Sequence, residues 1–494
     1  MSTNRWNLGF ITGRSSRSRD WLLCGALTLF SIFATIVPFW RALYKVQVNY
    51  NEGWNVYAAS GLADHVALYP SRFGWTTVNY PALSFSVMGA LSHLTHEYLF
   101  TGRLVSLLSL LICCGLVGAI VKQATGMLVP AILSAFFCLA LFCARADDYV
   151  GMDDPQMLAQ IFFLGGLLLY VSRGRENIWL VGTALLFVLG GSIKHNLIDF
   201  PLAVFLDLCI FSRRRAFHFV VYMAVFLAFA VVLNILIGGP FFVAKLLTPR
   251  LYSVSGALKS FLKYYSIQVP FVAAAIAMFY VIKNSSTRVI ALFFVVSLIV
   301  GIGFAGGSGV AINIFFGNFL AISILVGIMI AMVWTNAIGL QESTYLKLAI
   351  PVMVFGSLVF PMQSAGELHP VAKLQDVRIS EAQFEREVGF LQSQPGPALC
   401  ESLLRCYFAG KPYVYDPFNS TSLIRFGKID PREVADKIRK HEYGAIQLDS
   451  PLESVPRRPN DHFVDQILDA IEKHYDPARK ETDCAIYVPK AKIM

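Results

Sequence analysis

Four stretches of this sequence hold residues whose types and spacing suit chemistry. The first is V-Q-V-N-Y-N-E-G-W-N-V-Y (46–57), where one carboxylate, Glu52, stands among amides and the aromatics Trp54 and Tyr57. An acid there reads either as a solvated group or as a base for proton transfer, and such aromatics both anchor at a membrane interface and stack on sugars. The second is D-D-Y-V-G-M-D-D-P (147–155), with Asp147, Asp148, Asp153 and Asp154. Asp154-Pro155 has the form of a helix start, an acidic cap followed by proline. Asp147 and Asp148 read as a hydrated loop or as hard ligands for Mg²⁺, Mn²⁺ or Ca²⁺, the one cofactor class the sequence leaves open. The third is G-G-S-I-K-H-N-L-I-D-F (190–200), where Lys194, His195 and Asn196 put a point charge and two hydrogen-bonding side chains together, as an anion site requires. A lysine snorkelling from a helix end is the plainer reading of Lys194. The fourth comprises Y-P-S-R-F-G-W (69–75) and T-T-V-N-Y-P (76–81), with Arg72 suited to clamping a phosphate and Tyr80 ahead of a proline.

The elements that must carry these residues are membrane helices. Of 494 residues, 56% are hydrophobic and 15% charged, and the mean hydropathy is +0.57. A soluble protein carries about a quarter charged residues. The apolar content falls in blocks of roughly 16 to 22 residues, the length of a bilayer-crossing helix. The first, Trp21 to Trp40, follows Arg14, Arg17 and Arg19 and reads as a retained helix with a cytoplasmic N-terminus. Further spans are expected at 104–121, 127–144, 156–171, 178–192, 197–211, 216–237, 266–282, 288–305, 312–334 and 346–361, about eleven in all. Tyr80 to Leu94 is too short and reads as interfacial or re-entrant. That choice puts S-R-G-R-E-N (172–177), S-R-R-R (212–215) and K-N-S-S-T-R (283–288) on the cytoplasmic side and every acidic motif outside.

From residue 362 the composition turns charged and mixed, so the chain divides into a membrane domain (1–361) and an extracytoplasmic α/β domain (362–494). In the latter, 445–449 and 485–489 read as strands, and 431–441 and 462–474 as helices. Cys400 and Cys406 are in disulfide-permissive surroundings on this topology. The formal net charge of +9 comes from basic residues at helix ends, which argues against a nucleic-acid partner. No nucleotide-binding loop, nucleophile elbow or dinucleotide fingerprint occurs.

In their order, these stretches resemble the GT-C superfamily of polyprenyl-phosphate-dependent membrane glycosyltransferases. The likeness runs to the aminoarabinose lipid A transferases, the rhizobial lipopolysaccharide galacturonosyltransferases and the protein O-mannosyltransferases. It covers about residues 20 to 205 and rests on N-E-G-W-N-V-Y-A (51–58), N-Y-P-A-L-S-F (79–85), G-R-L-V-S (102–106), M-D-D-P (152–155) and K-H-N (194–196) in sequence. The resemblance implies an inverting transfer of a sugar from a polyprenyl-phosphate donor to a lipid, glycan or protein acceptor, at the outer leaflet of a bacterial inner membrane. It makes Glu52 or Asp154 the catalytic base, with Asp153 beside them. The basic triplet Lys194, His195 and Asn196 would hold the lipid phosphate, and Arg72, Trp54, Tyr57, Tyr80 and Asp153 are the further substrate-binding candidates. Two departures stand out: Asn51-Glu52 where many relatives have Asp-Glu, and Tyr80 where the aminoarabinose enzymes have lysine. The rival reading is a polytopic transporter or lipid-linked sugar flippase. Transporters concentrate ionisable groups near the membrane midplane, whereas the acids here collect in outer loops.

Overall fold

The computed structural model describes residues 17–173, 176–265, 271–272, 285–335, 344–366, 368–455, 461–481 and 484–491. The chain is a polytopic α-helical membrane protein with a small sheet near its C-terminus. Its first nine helices are α1 (Arg17–Arg41), α2 (Tyr50–Ala63), α3 (Ala82–Thr95), α4 (Tyr98–Thr125), α5 (Leu128–Arg145), α6 (Gln156–Arg173), α7 (Asn177–Gly191), α8 (Asp199–Phe211) and α9 (Arg213–Gly238). Among the described residues, seven helices are long and apolar enough to cross a bilayer.

Each expected span falls on a helix, except 266–282, which lies almost wholly outside the described residues. The difference between about eleven spans and seven lies partly in α7 and α8, of 15 and 13 residues. Helices of that length reach only about 20–22 Å, short of the roughly 30 Å hydrocarbon core. They stop early because residues 192–198 form irregular backbone whose residues 194–196 line the cavity described below. Non-helical backbone is tolerated at membrane depth only where protein or water surrounds it. Helix α3 has 14 residues, as its short apolar run implies, and ends at His96 in the left-handed region (φ 59°). Glu97 then caps α4, accepting from the amides of Leu99 and Phe100 at 2.8 Å.

The membrane core centres on the helix Phe316–Trp334, which is apolar all round. In the apolar window of Ile312–Trp334, 89% of residues are buried, against 6% for Arg213–Gly238. A helix hydrophobic on every side belongs inside a bundle, and one with so little protein around it belongs against lipid. Helix α5 packs on α1, α4 and Phe316–Trp334, and α6 packs on α4 and α7. At one end of this bundle, α2 and α3 pack together with α4.

The C-terminal part begins with the helix Pro370–Ser393 and forms a four-stranded sheet in the order β1-β2-β4-β3. The strands are β1 (Ala398–Cys400), β2 (Ala445–Leu448), β3 (Tyr475–Lys480) and β4 (Ala485–Pro489). β1 and β2 are parallel, with Ala398 opposite Ala445, and the other two pairs are antiparallel. Cys400, at the end of β1, forms a disulfide with Cys406 on the helix Leu403–Phe408, with Cα atoms 6.0 Å apart. A strand end facing a helix supplies the separation that a single continuous helix would not.

This domain docks on α2. The Tyr57 hydroxyl donates to the Lys411 carbonyl at 2.7 Å, and the Trp75 indole to Glu433 Oε2 at 2.8 Å. Gly53 lies against the backbone of Leu403 and Leu404, where an added Cβ would collide with main-chain atoms. Gly53→Ala is therefore expected to loosen the docking at a cost of about 1–3 kcal/mol. Limited proteolysis between residues 366 and 397 should be faster in the variant, and an unchanged cleavage rate would contradict this packing.

Candidate functional site: a cationic cavity between the helices and the C-terminal domain

Asn49 caps α2 by accepting the Asn51 amide at 3.2 Å, which sets Tyr50 and Asn51 in the helix's first turn. That turn opens on a cavity of about 570 Å³. The membrane part contributes Trp54, Asn79, Tyr80, Lys194, His195, Asn196 and Asn313, and the 246–252 segment contributes Arg250 and Tyr252. Phe418, Asn419 and His462 complete the wall from the C-terminal domain. The wall is thus amide and aromatic, with two cations at a helix N-terminus, a combination that favours an anion carrying a polyhydroxyl group.

Lys194 is 1% exposed, and its position follows from the chain reversal after α7. Its Nζ lies 3.1 and 3.2 Å from the two carboxylate oxygens of Asp154, 3.0 Å from the Tyr80 hydroxyl, and 4.3 Å from the Tyr80 ring centre. Asp154 in turn accepts the Gln156 amide at 2.8 Å, so the expected acidic cap and the ion pair are one residue. Burial alone would lower the Lys194 pKa, but Asp154 and Tyr80 outweigh it and the ammonium is held. His195 stands exposed to the cavity, where burial by surrounding atoms, then Lys194 and Arg250, lower its imidazole to about 4. Asn196 Oδ1 is buried without a hydrogen-bond partner among the described residues. Arg250, 5.8 Å over the Phe418 ring, is exposed and has no ion-pair partner among the described residues.

Glu52 stands elsewhere. It is fully buried and absent from the cavity wall. Its carboxylate accepts from Arg103 Nε at 2.7 Å, Arg103 Nη2 at 2.8 Å, the Val48 amide at 2.8 Å and the Asp153 amide at 3.2 Å. Arg103 also donates to the carbonyls of Tyr44 and Val46, tying the α1–α2 loop to α4. The carboxylate at this position is therefore neither solvated nor on the cavity wall: Asn51 lines the cavity and Glu52 anchors the loop behind it.

Asp153 is buried with its carboxylate against Gly102, where an added Cβ would collide with it. Burial, then Glu52 and Asp154, raise its carboxyl well above the usual range against the pull of Arg103. Arg72 is exposed over Phe73 and lies outside the cavity, whereas Arg250 lines it. Tyr57 stacks on Tyr413 at 4.9 Å, at the domain interface rather than the cavity. Trp54 lines the cavity, with its indole donating to the Thr77 carbonyl at 2.6 Å and its ring edge-on to Tyr80. Asp147 and Asp148 face Arg41, 3.6 and 4.0 Å away. Among the described residues, no group of three His, Cys, Asp or Glu side chains is placed to hold a metal ion.

Sequence reasoning did not single out Arg103, Arg250, Glu401 or His462 as site residues. Arg103 carried a signal, because a charge inside an apolar helix needs a buried partner. Arg250 and Glu401 lie in irregular segments with no periodicity to mark them, and His462 falls at the edge of the expected helix 462–474, which begins only at Asp465.

No protein-family model and no curated protein matches the sequence. Among solved structures, ArnT from Cupriavidus metallidurans in the apo state is similar at 12% identity, with a TM-score of 0.60 over 96% of this chain and 98% of that one. The same protein bound to undecaprenyl phosphate gives 13% identity and a TM-score of 0.56, over 95% of this chain and 98% of that one. The Archaeoglobus fulgidus oligosaccharyltransferase, in complex with Zn and sulfate, gives 10% identity and a TM-score of 0.47 over 94% of this chain and 73% of that one. The chain shares the fold of ArnT over nearly the whole length of both chains.

Proposed function

We propose that the protein is an inverting glycosyltransferase that takes a sugar from a polyprenyl-phosphate donor at the outer leaflet of a bacterial inner membrane. The observation that carries this reading is the cavity's charge arrangement. Lys194 is neutralised by Asp154, Arg250 is uncompensated, and the α2 N-terminus adds partial positive charge. One monoanionic phosphodiester balances that set. ArnT, which shares the fold, has been solved with undecaprenyl phosphate, a lipid phosphate of the kind such a donor would release.

In this reaction an acceptor hydroxyl attacks the anomeric carbon from the face opposite the phosphate. The bond from that carbon to oxygen of the phosphate breaks, and the lipid phosphate leaves as a dianion. Lys194 and Arg250 supply charge where it develops, which lowers the barrier more in the transition state than in the ground state. Tyr80, beneath the Lys194 ammonium, fixes its position. The wall amides Asn51, Asn79, Asn313 and Asn419 would take hydroxyl hydrogens of the sugar, with Trp54 as its apolar platform. The acceptor is a lipid, a glycan or a protein segment reaching the cavity beside the C-terminal domain.

The same wall selects the sugar. Among the described residues it contains no Asp or Glu, so a sugar ammonium would face cations with nothing to neutralise it. Donors carrying a neutral hexose are therefore expected to be used at least about tenfold faster than donors carrying an amino sugar, since like-charge contacts cost several kcal/mol. Transfer of radiolabelled sugar from a panel of polyprenyl-phosphate donors in proteoliposomes measures this. Preference for the amino sugar would contradict the charge reading, and no transfer from any donor would contradict glycosyl transfer itself.

A further inference from the structure

A reaction of this type needs a group to take the acceptor's proton, and the cavity wall offers no carboxylate among the described residues. Glu52 and Asp154 are committed to Arg103 and Lys194. Two imidazoles line the cavity, His195 and His462. His195 stands beside both cations, which with burial hold it at about 4, and a base that weak captures a hydroxyl proton poorly.

His462 is built differently. Its Nδ1 lies 2.7 Å from Glu401 Oε1, and its ring stacks on Tyr50 at 5.2 Å and 21°. Glu401 Oε2 accepts the Asp449 amide at 2.8 Å, which fixes the carboxylate. Tyr50 is itself pinned, its hydroxyl donating to Asp416 Oδ1 at 2.8 Å. A carboxylate on one imidazole nitrogen orients the ring, selects the tautomer with the proton on Nδ1, and stabilises the imidazolium once it forms.

Resting on the glycosyl-transfer reading, we propose that the Glu401–His462 pair of the C-terminal domain is the general base, His462 Nε2 taking the proton of the acceptor hydroxyl. The oxygen–anomeric carbon bond forms as the bond from that carbon to the lipid phosphate breaks. The proton passes to His462 and the electron pair leaves with the phosphate, so charge moves from the acceptor side of the cavity to the cation side. The C-terminal domain is thereby a catalytic partner of the helices, and its docking on α2 completes the site.

The electrostatics around the ring set a pH signature. Burial lowers the His462 pKa, but Glu401, Asp449 and Asp461 outweigh it and raise it above the ordinary value. Arg405 faces Asp449 at 3.7 Å and Arg425 faces Asp461 at 3.0 Å, so part of that acidic field is already answered, while Tyr50, raised by burial and Asp416, stays neutral. The base works when neutral. Transfer should therefore fall as pH drops through the raised His462 pKa, above the ordinary 6.5.

The test uses the full chain in proteoliposomes with a donor the wild type accepts. His462→Ala is expected to lower transfer by about 10²–10⁴-fold, with polyprenyl phosphate binding unchanged because that belongs to Lys194 and Arg250. In Glu401→Gln the acid limb of the pH–rate profile should move to lower pH, a shift that a merely structural role would not produce. Near-wild-type transfer by His462→Ala, or an acid limb unmoved in Glu401→Gln, would overturn the proposal. A limb near pH 4 would assign the base to His195 instead. Absence of transfer by the wild type would overturn the glycosyl-transfer reading beneath it.

Discussion

Glu52→Gln is expected to destabilise the protein sharply, with loss of folded yield in detergent, rather than to leave a well-folded inactive enzyme. Glu52 and Arg103 are 0% and 2% exposed as side chains, and each meets the other through two hydrogen bonds. Removing one charge leaves a guanidinium buried without compensation, which costs about 3–5 kcal/mol. The loss reaches the site indirectly. Arg103 holds the carbonyls of Tyr44 and Val46, and Glu52 holds the Val48 amide, so the loop leading into Asn49, Tyr50 and Asn51 is set by this pair. Removing both charges, as Glu52→Gln with Arg103→Met, should recover part of the stability, because apolar replacement of a buried pair is often near neutral. Thermal unfolding of the two variants in one detergent separates the roles. A Glu52→Gln protein as stable as wild type but without transfer would return the base assignment to Glu52.

Lys194→Ala is expected to reduce sugar transfer by about 10²–10³-fold, the usual loss when one preorganised stabiliser of developing negative charge is removed. The buried Asp154 left behind would face the donor phosphate directly, and like charges in a low-dielectric site repel strongly. Adding Asp154→Asn relieves that repulsion. The double variant should therefore fold better than Lys194→Ala and bind polyprenyl phosphate more tightly, yet still transfer slowly. Equal behaviour of the single and double variants would contradict the ion pair as the element that holds Lys194.

Much of the architecture was legible because apolar run length states it. The runs at 104–121, 127–144 and 312–334 each fall on a long helix to within a few residues, although α4 begins at Tyr98, six residues early, because the Glu97 cap is polar and escapes a hydropathy pattern. The shortness of the 80–94 run matches the 14-residue α3. In the C-terminal domain β2 and β4 were legible as short apolar runs, while β1, three residues long, and the charged β3 were not. The site was half legible. Lys194, Asn196, Tyr80 and Trp54 come together as their motifs imply, and Asp154 joins them through its ion pair. Glu52 could not be placed from sequence, since α2 turns Asn51 to the cavity and Glu52 inward by a single-residue rotation that the aromatic-rich segment does not betray. Arg250 and His462, 212 residues apart in the chain, reach the cavity only through tertiary packing.

Transfer of labelled hexose from a polyprenyl-phosphate donor, by purified wild type and Lys194→Ala side by side in proteoliposomes, is the most direct test that this cavity is a glycosyl-transfer site. The wild type should release polyprenyl phosphate and form a product of inverted anomeric configuration, with Lys194→Ala slower by about 10²–10³-fold. A product of retained configuration, or a Lys194→Ala rate equal to wild type, would contradict it.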